Sequence, residues 1–210
     1  LGLVVSGFVR RRQEFGYYMV VLGRWQVAGV FVASRKFGIY NRLNRFWGVE
    51  RPMNHTRLVA DKFTIDRCEI ETEDGRRVTR DIVVHPGSVV ILPMLSASEA
   101  VLIRNHRYAP NKRLWELPAG TLEPPEPPVA CAYRELIEEA GYRAERMTPL
   151  MKLYPSPGIC TELMHAFVAT DLTEVGQQLV EDERIEPVVM GLDDVIEMIR
   201  KNEIEDAKTI

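Results

Sequence analysis

The chain has 210 residues, 46% of them hydrophobic and 27% charged, with a formal net charge of −3. That length fits one α/β domain with extensions or two small domains, and that composition suits a soluble fold able to bury a real core. The small negative balance provides no electrostatic footprint for a nucleic-acid partner. Cys68, Cys131 and Cys160 are scattered and odd in number, with no C-x-x-C pair or Cys/His cluster. This argues against a disulfide framework or a structural zinc site and favours a reducing cytoplasm.

The average hides two unlike parts. Residues 1–52 hold nine Lys/Arg and two Asp/Glu, a net of +7, and ten of the seventeen aromatic residues; the remainder has a net of −10. Such a break marks a boundary. It predicts an atypical basic, aromatic extension over 1–52 and the functional domain over 53–210. Arg10-Arg11-Arg12 precede a mostly apolar stretch, Phe15 to Ser34, which has the outline of a signal peptide or membrane anchor. Arg24 and Gln26 interrupt it, and an arginine is costly in the middle of a bilayer. The preferred expectation is therefore an upstream extension or an over-long gene assignment, with the functional protein beginning near Met53: the chain opens on Leu1, and Met53 stands where the composition changes.

From Asp61 the elements become readable. Apolar and polar residues alternate on both sides of Glu73-Asp74-Gly75, which predicts a hairpin with strands near 62–71 and 77–85. The short β-branched runs 88–95 and 100–108 read as buried strands joined by a turn at Ser96-Ala97-Ser98. Residues 115–123 follow as strand and loop. Pro127 and Pro128 suit the first turn of a helix and Gly141 its end, which places a helix near 128–140. Residues 151–172 read as two strands around a Pro-Gly loop, and 181–192 as a charged loop and a further strand. Val195, Ile196, Met198 and Ile199 lie at helical spacing behind an acidic start, so 192–203 reads as a second helix. Asp206 to Ile210 reads as the opening of a last helix. The sum is a mixed sheet with two main helices, α+β or a three-layer sandwich.

The first helix carries Glu135, Glu138 and Glu139 behind Arg134. Glu135 and Glu139 fall on one face with Glu138 beside them. Like charges at this spacing repel by a few tenths of a kcal/mol per pair, roughly, and the C-terminal half of a helix disfavours negative charge. A hard divalent cation, Mg²⁺ or Mn²⁺, would reverse both penalties. Taken alone, E-x-x-E-E is more often a solvated acidic face.

Its surroundings change that reading. Gly120, five residues, Glu126, seven residues, Arg134-Glu135-Leu136, one residue, Glu138-Glu139, one residue, Gly141-Tyr142 resembles the signature box of the Nudix hydrolase family, with Tyr142 at a position the family fills with an aliphatic residue. The flanks are similar to the ADP-ribose pyrophosphatase subgroup. "RNHRYAPNKRLWELPAG" looks like its upstream segment, although Asn105 and His106 replace the usual Gln and Tyr. "YPSPGICTE" and "VEDERIEP" look like its downstream ones. The resemblance covers about residues 60–208.

It implies a Nudix fold, an α/β/α sandwich with a mixed sheet and an N-terminal β-hairpin extension. It also implies Mg²⁺-dependent (or Mn²⁺-dependent) hydrolysis of a nucleoside diphosphate linked to another moiety. Glu135, Glu139, Glu138 and the backbone carbonyl of Ala119 would be metal ligands, and Arg134 would orient the glutamates. Gly120 would permit the tight loop, Glu126 would make a supporting contact, and Gly141 would end the helix. Arg107 would bind phosphate, and Glu116 would face the pocket. Pro157, Gly158 and Glu162 would lie near the substrate, the last by its ribose. Glu181 or Glu183, on a flexible loop, would act as catalytic base. The substrate implied is ADP-ribose, with GDP-mannose or another sugar nucleotide as the rival, and a nucleotide-sensing module without catalysis as the reading from another class. A homodimer formed by exchange of strands near 56–85 is expected, in the cytoplasm, with no nucleic-acid or membrane partner.

Overall fold

The computed structural model describes residues 16–21 and 27–33 as backbone strands, and residues 55–60, 62–179 and 184–210. The chain divides into two compact units, Leu1–Arg51 and Pro52–Ile210. In the first, β1 (Gly16–Val21) pairs antiparallel with β2 (Val27–Ala33). Two strands thus lie within the apolar stretch that has the outline of a membrane anchor. No helix among the described residues is long and apolar enough to cross a membrane.

The second unit opens with a three-stranded antiparallel sheet: β3 (His55–Val59), β4 (Thr64–Glu71) and β5 (Arg77–Val84). The expected hairpin is β4–β5. Gly75 turns the chain with φ 77, a conformation that glycine adopts without strain. The Thr72 N–H donates to the Arg76 carbonyl at 2.8 Å. Arg57 and Asp66 pair across β3 and β4 at 2.7 Å through two hydrogen bonds. Strand β3 was not anticipated.

Two further sheets hold the core. One is mixed, in the order β10–β11–β6–β9, with β11 (Met164–Glu174) parallel to β6 (Ser88–Pro93) and antiparallel to β10 (Tyr142–Leu153); β9 is the short strand Ala119–Thr121. The other is antiparallel, in the order β12–β7–β8, from Ile185–Gly191, Glu99–Arg107 and Lys112–Glu116. Helix α1 (Pro128–Glu135) continues into a wide π-helical turn, Leu136–Ala140, and helix α2 spans Leu192–Arg200.

Side-chain alternation along β7 shows the layering. Val101 and Ile103 join Val89, Ile91, Phe167 and Ala169 around Cys131, Ala132, Leu136 and Ala140 of the first helix. Ala100 and Leu102 point the other way, into a cluster with Ile204 and with Val195, Met198 and Ile199 of α2. The sheet strand is therefore covered by a helix on each face, the arrangement expected of an α/β/α sandwich. It reads as a continuous apolar run for that reason. Each fully buried aliphatic side chain there contributes about 1.5–3 kcal/mol.

The structure departs from the sequence reading in several places: helix α2 ends at Arg200 rather than near 203, and strand β8 begins at Lys112 rather than 115. Strand β10 begins at Tyr142, directly after the helix, rather than near residue 151. The helix near 128–140 is present, but its second half is a π turn. Residues 206–210, read as the opening of a last helix, form a single turn, in which the Thr209 and Ile210 N–H groups donate to the Asp206 carbonyl at 3.0 and 3.2 Å.

Candidate active site

Pro127 in an extended conformation and Pro128 in the first turn start the helix, since proline has no N–H to lose there. Gly141 stops it in the left-handed region, φ 76, with its N–H on the Ile137 carbonyl at 3.0 Å. A Cβ at Gly141 would also lie 2.9 Å from the Gln177 nitrogen. Between these ends the π turn adds width where Glu138 and Glu139 stand, a deformation often found at functional positions.

The helix lies against β9. A Cβ built on Gly120 would fall 1.8 Å from the Glu135 carboxyl carbon. Glycine is needed here for close approach of backbone to carboxylate. The Ala119 N–H donates to Glu139 Oε2 at 2.7 Å. Strand β9 thus receives both helix glutamates, Glu135 and Glu139, and both are buried.

Arg134 organises the rest. Its Nε and Nη2 donate to Glu126 Oε1 and Oε2 at 3.0 Å each. Its Nη1 donates to Glu135 Oε1 at 2.7 Å and to Glu138 Oε2 at 2.8 Å. The bidentate fork explains why an arginine stands here, because a lysine ammonium would be a point charge without that planar geometry. The hydrogen bond to Glu126 is the main cause of a guanidinium pKa held well above its ordinary value, and it holds the Glu126 carboxyl below the usual carboxylate range. Burial, with Glu135 nearby, pushes the Cys131 thiol up to about 12. That thiol is no nucleophile near neutral pH.

The donor chemistry fits a hard divalent cation: carboxylate oxygens, buried, side by side on one helix, against a strand with no intervening side chain. Among the described residues no three acidic, histidine or cysteine side chains converge on one point. Arg134 occupies oxygens of Glu126, Glu135 and Glu138 instead.

A second charged group lies at the end of β8. Glu116 accepts from Arg107 Nε and Nη2 at 2.8 and 2.5 Å, and from Lys208 Nζ at 2.6 Å. Burial pushes the Glu116 carboxyl up, but the two cations outweigh it and hold the group below the usual range. Glu116 holds the Arg107 guanidinium above its ordinary value, with Glu139 and Asp206 adding to the effect. Of the two residues that depart from the subgroup pattern, Asn105 is buried, and His106 packs edge-on against Tyr108 at 5.0 Å between ring centres.

The Pro157-Gly158 loop is tied to β5: the Val83 N–H donates to the Ile159 carbonyl at 2.8 Å, and the Thr161 N–H to the Val83 carbonyl at 2.9 Å. Glu162 follows, accepting from Ser88 Oγ at 2.6 Å. Burial lowers the pKa of the neighbouring His85, with Glu162 opposing. Glu181 and Glu183 lie outside the described residues. The sequence reading missed Lys208, Asp206 and Thr209.

The family profile described as NUDIX domain matches residues 84–210. The chain is 36% identical over 143 residues to the ADP-ribose pyrophosphatase of Bacillus subtilis (strain 168), covering 67% of this chain and 77% of that protein. It is 39% identical over 154 residues to the GDP-mannose pyrophosphatase of Cronobacter sakazakii (strain ATCC BAA-894), covering 68% and 80%. Its fold is similar to a solved structure described as an ADP compounds hydrolase, with a TM-score of 0.65, 24% identity and coverage of 77% of this chain and 90% of that one.

Proposed function

The chain belongs to the Nudix family, and from that premise we propose that it hydrolyses the diphosphate bond of a nucleoside diphosphate sugar, with ADP-ribose, cleaved to AMP and ribose 5-phosphate, as the leading substrate. The observation that carries this reading is the packing of Glu135 and Glu139 against the backbone of Ala119 and Gly120, with Arg134 bonded to Glu126, Glu135 and Glu138. The identity to an ADP-ribose pyrophosphatase supports the same reading. The identity to a GDP-mannose pyrophosphatase supports a second one, in which the sugar nucleotide is GDP-mannose.

In this proposal Glu135, Glu138, Glu139 and the Ala119 carbonyl hold Mg²⁺ or Mn²⁺. The cation, when bound, neutralises charge on the phosphate oxygens and acidifies water. Arg134 keeps the glutamates oriented, and Arg107 meets the phosphate that is not attacked. Glu162 and the Pro157-Gly158 loop lie by the sugar. Glu181 or Glu183 accepts the proton as water adds to phosphorus, and the bridging P–O bond breaks to leave the second monophosphate. A sensing module that had lost catalysis would lack the box glutamates, and all are present. A homodimer that uses the β3–β5 region fits the exposed Leu58 and Val59 of strand β3. The protein is proposed to act in the cytoplasm, without a nucleic-acid or membrane partner.

The test is a panel of ADP-ribose, GDP-mannose and NADH with Mg²⁺, in which a phosphatase releases phosphate from the products. The full chain and a version that starts at Met53 run side by side. Metal-dependent turnover, greatest with ADP-ribose, is expected from both; no metal-dependent turnover of any diphosphate would overturn the proposal.

A further inference from the structure

Glu116 is a fully buried carboxylate shared by two cations, and the two are held very differently. Its side chain is 0% exposed, against 10% for Lys208 and 43% for Arg107. Lys208 is fastened from behind. Its Nζ also donates to Asp206 Oδ2 at 2.8 Å, and Asp206 Oδ2 accepts from Thr209 Oγ1 at 2.6 Å. Thr209 Oγ1 in turn accepts from the Leu117 N–H at 2.9 Å, next in the chain to Glu116. Ile204, four residues before Lys208, is fully buried between β7 and α2, and Glu205 pairs with Lys112. Arg107 has its guanidinium at the open side of the same carboxylate.

A buried carboxylate cannot give up its only cation without leaving an uncompensated charge. With Arg107 as sole partner, Glu116 would compete with any phosphate for that guanidinium. With Lys208 fixed on Oε2, Glu116 stays compensated when Arg107 turns toward an anion. We propose that Lys208 is a positioning residue for the diphosphate: it keeps Glu116 neutralised from the protein side and so makes Arg107 available to substrate. This rests on the reading of Arg107 as a phosphate ligand. The ligand class concerned is the diphosphate of the sugar nucleotide, one negative charge on each phosphate, and the effect is on its binding, with no bond made or broken by Lys208.

The experiment is steady-state kinetics on the full chain with Mg²⁺ and the best substrate of the panel. Lys208→Met is expected to raise KM about 10-fold with kcat within about 2-fold, the pattern of lost binding rather than lost chemistry. Lys208→Gln, which keeps a hydrogen bond to Glu116 but no charge, is expected to do the same if the methionine variant fails to fold. Lys208→Arg is expected to hold KM near the wild-type value. The distinguishing measurement is Lys208→Met combined with Glu116→Gln: a neutral amide releases Arg107, so KM should return to within about 3-fold of wild type. A KM unchanged in both Lys208→Met and Lys208→Gln, or a rise that Glu116→Gln does not reverse, would overturn the proposal. Arg107→Met separates the two layers. If it raises KM while the Lys208 variants do not, only the positioning role fails. If it leaves KM unchanged, the phosphate role of Arg107 fails and the proposal with it.

Discussion

Arg134 and Arg107 each grip a glutamate through two nitrogens, yet the charge around them differs. Arg134 bonds Glu126, Glu135 and Glu138, with Glu139 in the next turn, so one cation stands among four carboxylates. Arg107 shares Glu116 with Lys208, which also holds Asp206, so two cations meet two carboxylates. The first group is short of positive charge and suits a divalent cation. The second is balanced and can lend a guanidinium to an anion. A diphosphate hydrolase needs both, one to gather metal and one to gather phosphate. The two lie on consecutive stretches of chain, since Glu116 ends β8 and Ala119 begins β9.

The largest effect should come from the acidic group. Glu139→Gln keeps the side-chain shape and a hydrogen-bonding oxygen but removes the charge. Residues that merely support a metal ligand cost 10–100-fold when changed, so loss of a proposed ligand should cost at least about 100-fold in kcat. The fold should survive, as read by circular dichroism. Full activity would break the assignment of that group to a cation.

Gly120→Ala sharpens the same point. The new Cβ would fall on the Glu135 carboxylate, 1.8 Å from its carbon, and on no other group within 2 Å except the carboxylate oxygen at 1.9 Å. The carboxylate is the end of a side chain and can shift, but it is buried and bonded to Arg134, so the loss of stability should be about 1–3 kcal/mol. Turnover should nevertheless fall about 100-fold, because a displacement of about 1 Å at a reacting centre has that effect. Thermal unfolding and kcat measured on one preparation decide it. A large drop in Tm with normal kcat would show that Gly120 serves the loop, not the glutamate.

These two groups were not equally legible in the sequence. Gly120, Glu126, Arg134, Glu135, Glu138 and Glu139 sit at fixed spacings along 20 residues, and a helix against a loop brings such residues together locally. The strands of the core were legible for a similar reason: runs such as Val89-Val90-Ile91 and Val101-Leu102-Ile103 are apolar throughout because both faces are covered. Strand β10 was not legible over Tyr142–Leu150, where Arg143, Glu145 and Arg146 face water and Pro149 breaks the pattern, so only pairing with β11 defines it. Nor could a helical template foresee the π turn, whose residues keep ordinary helix-forming identities. Lys208 was out of reach altogether. Its partner Glu116 is 92 residues away in the chain. A lysine in a short polar segment carries no sign of burial; it reads as a surface residue until the fold puts a carboxylate beneath it.

The smallest effect tests the balanced group by acid. The Glu116 carboxyl is held below the ordinary range, about 4.3 for a glutamate, because two cations outweigh its burial. Below that ordinary value the unfolded chain binds the proton first, so stability rises with pH through this window. The contribution of Glu116 is therefore complete above about pH 4.3 and is lost as the pH falls through the lower folded value. Lys208→Met removes one of the two cations and leaves the burial, so the folded carboxyl must titrate at higher pH. The neutral plateau should therefore fall in the variant, because the ionised carboxylate has lost a partner, and the loss of stability on acidification, followed in urea from neutral pH down to about 3, should shrink. Superimposable pH profiles would mean that Arg107 alone compensates Glu116. The second group would then have no cation to spare, and the contrast between the two arginines would reduce to one of burial.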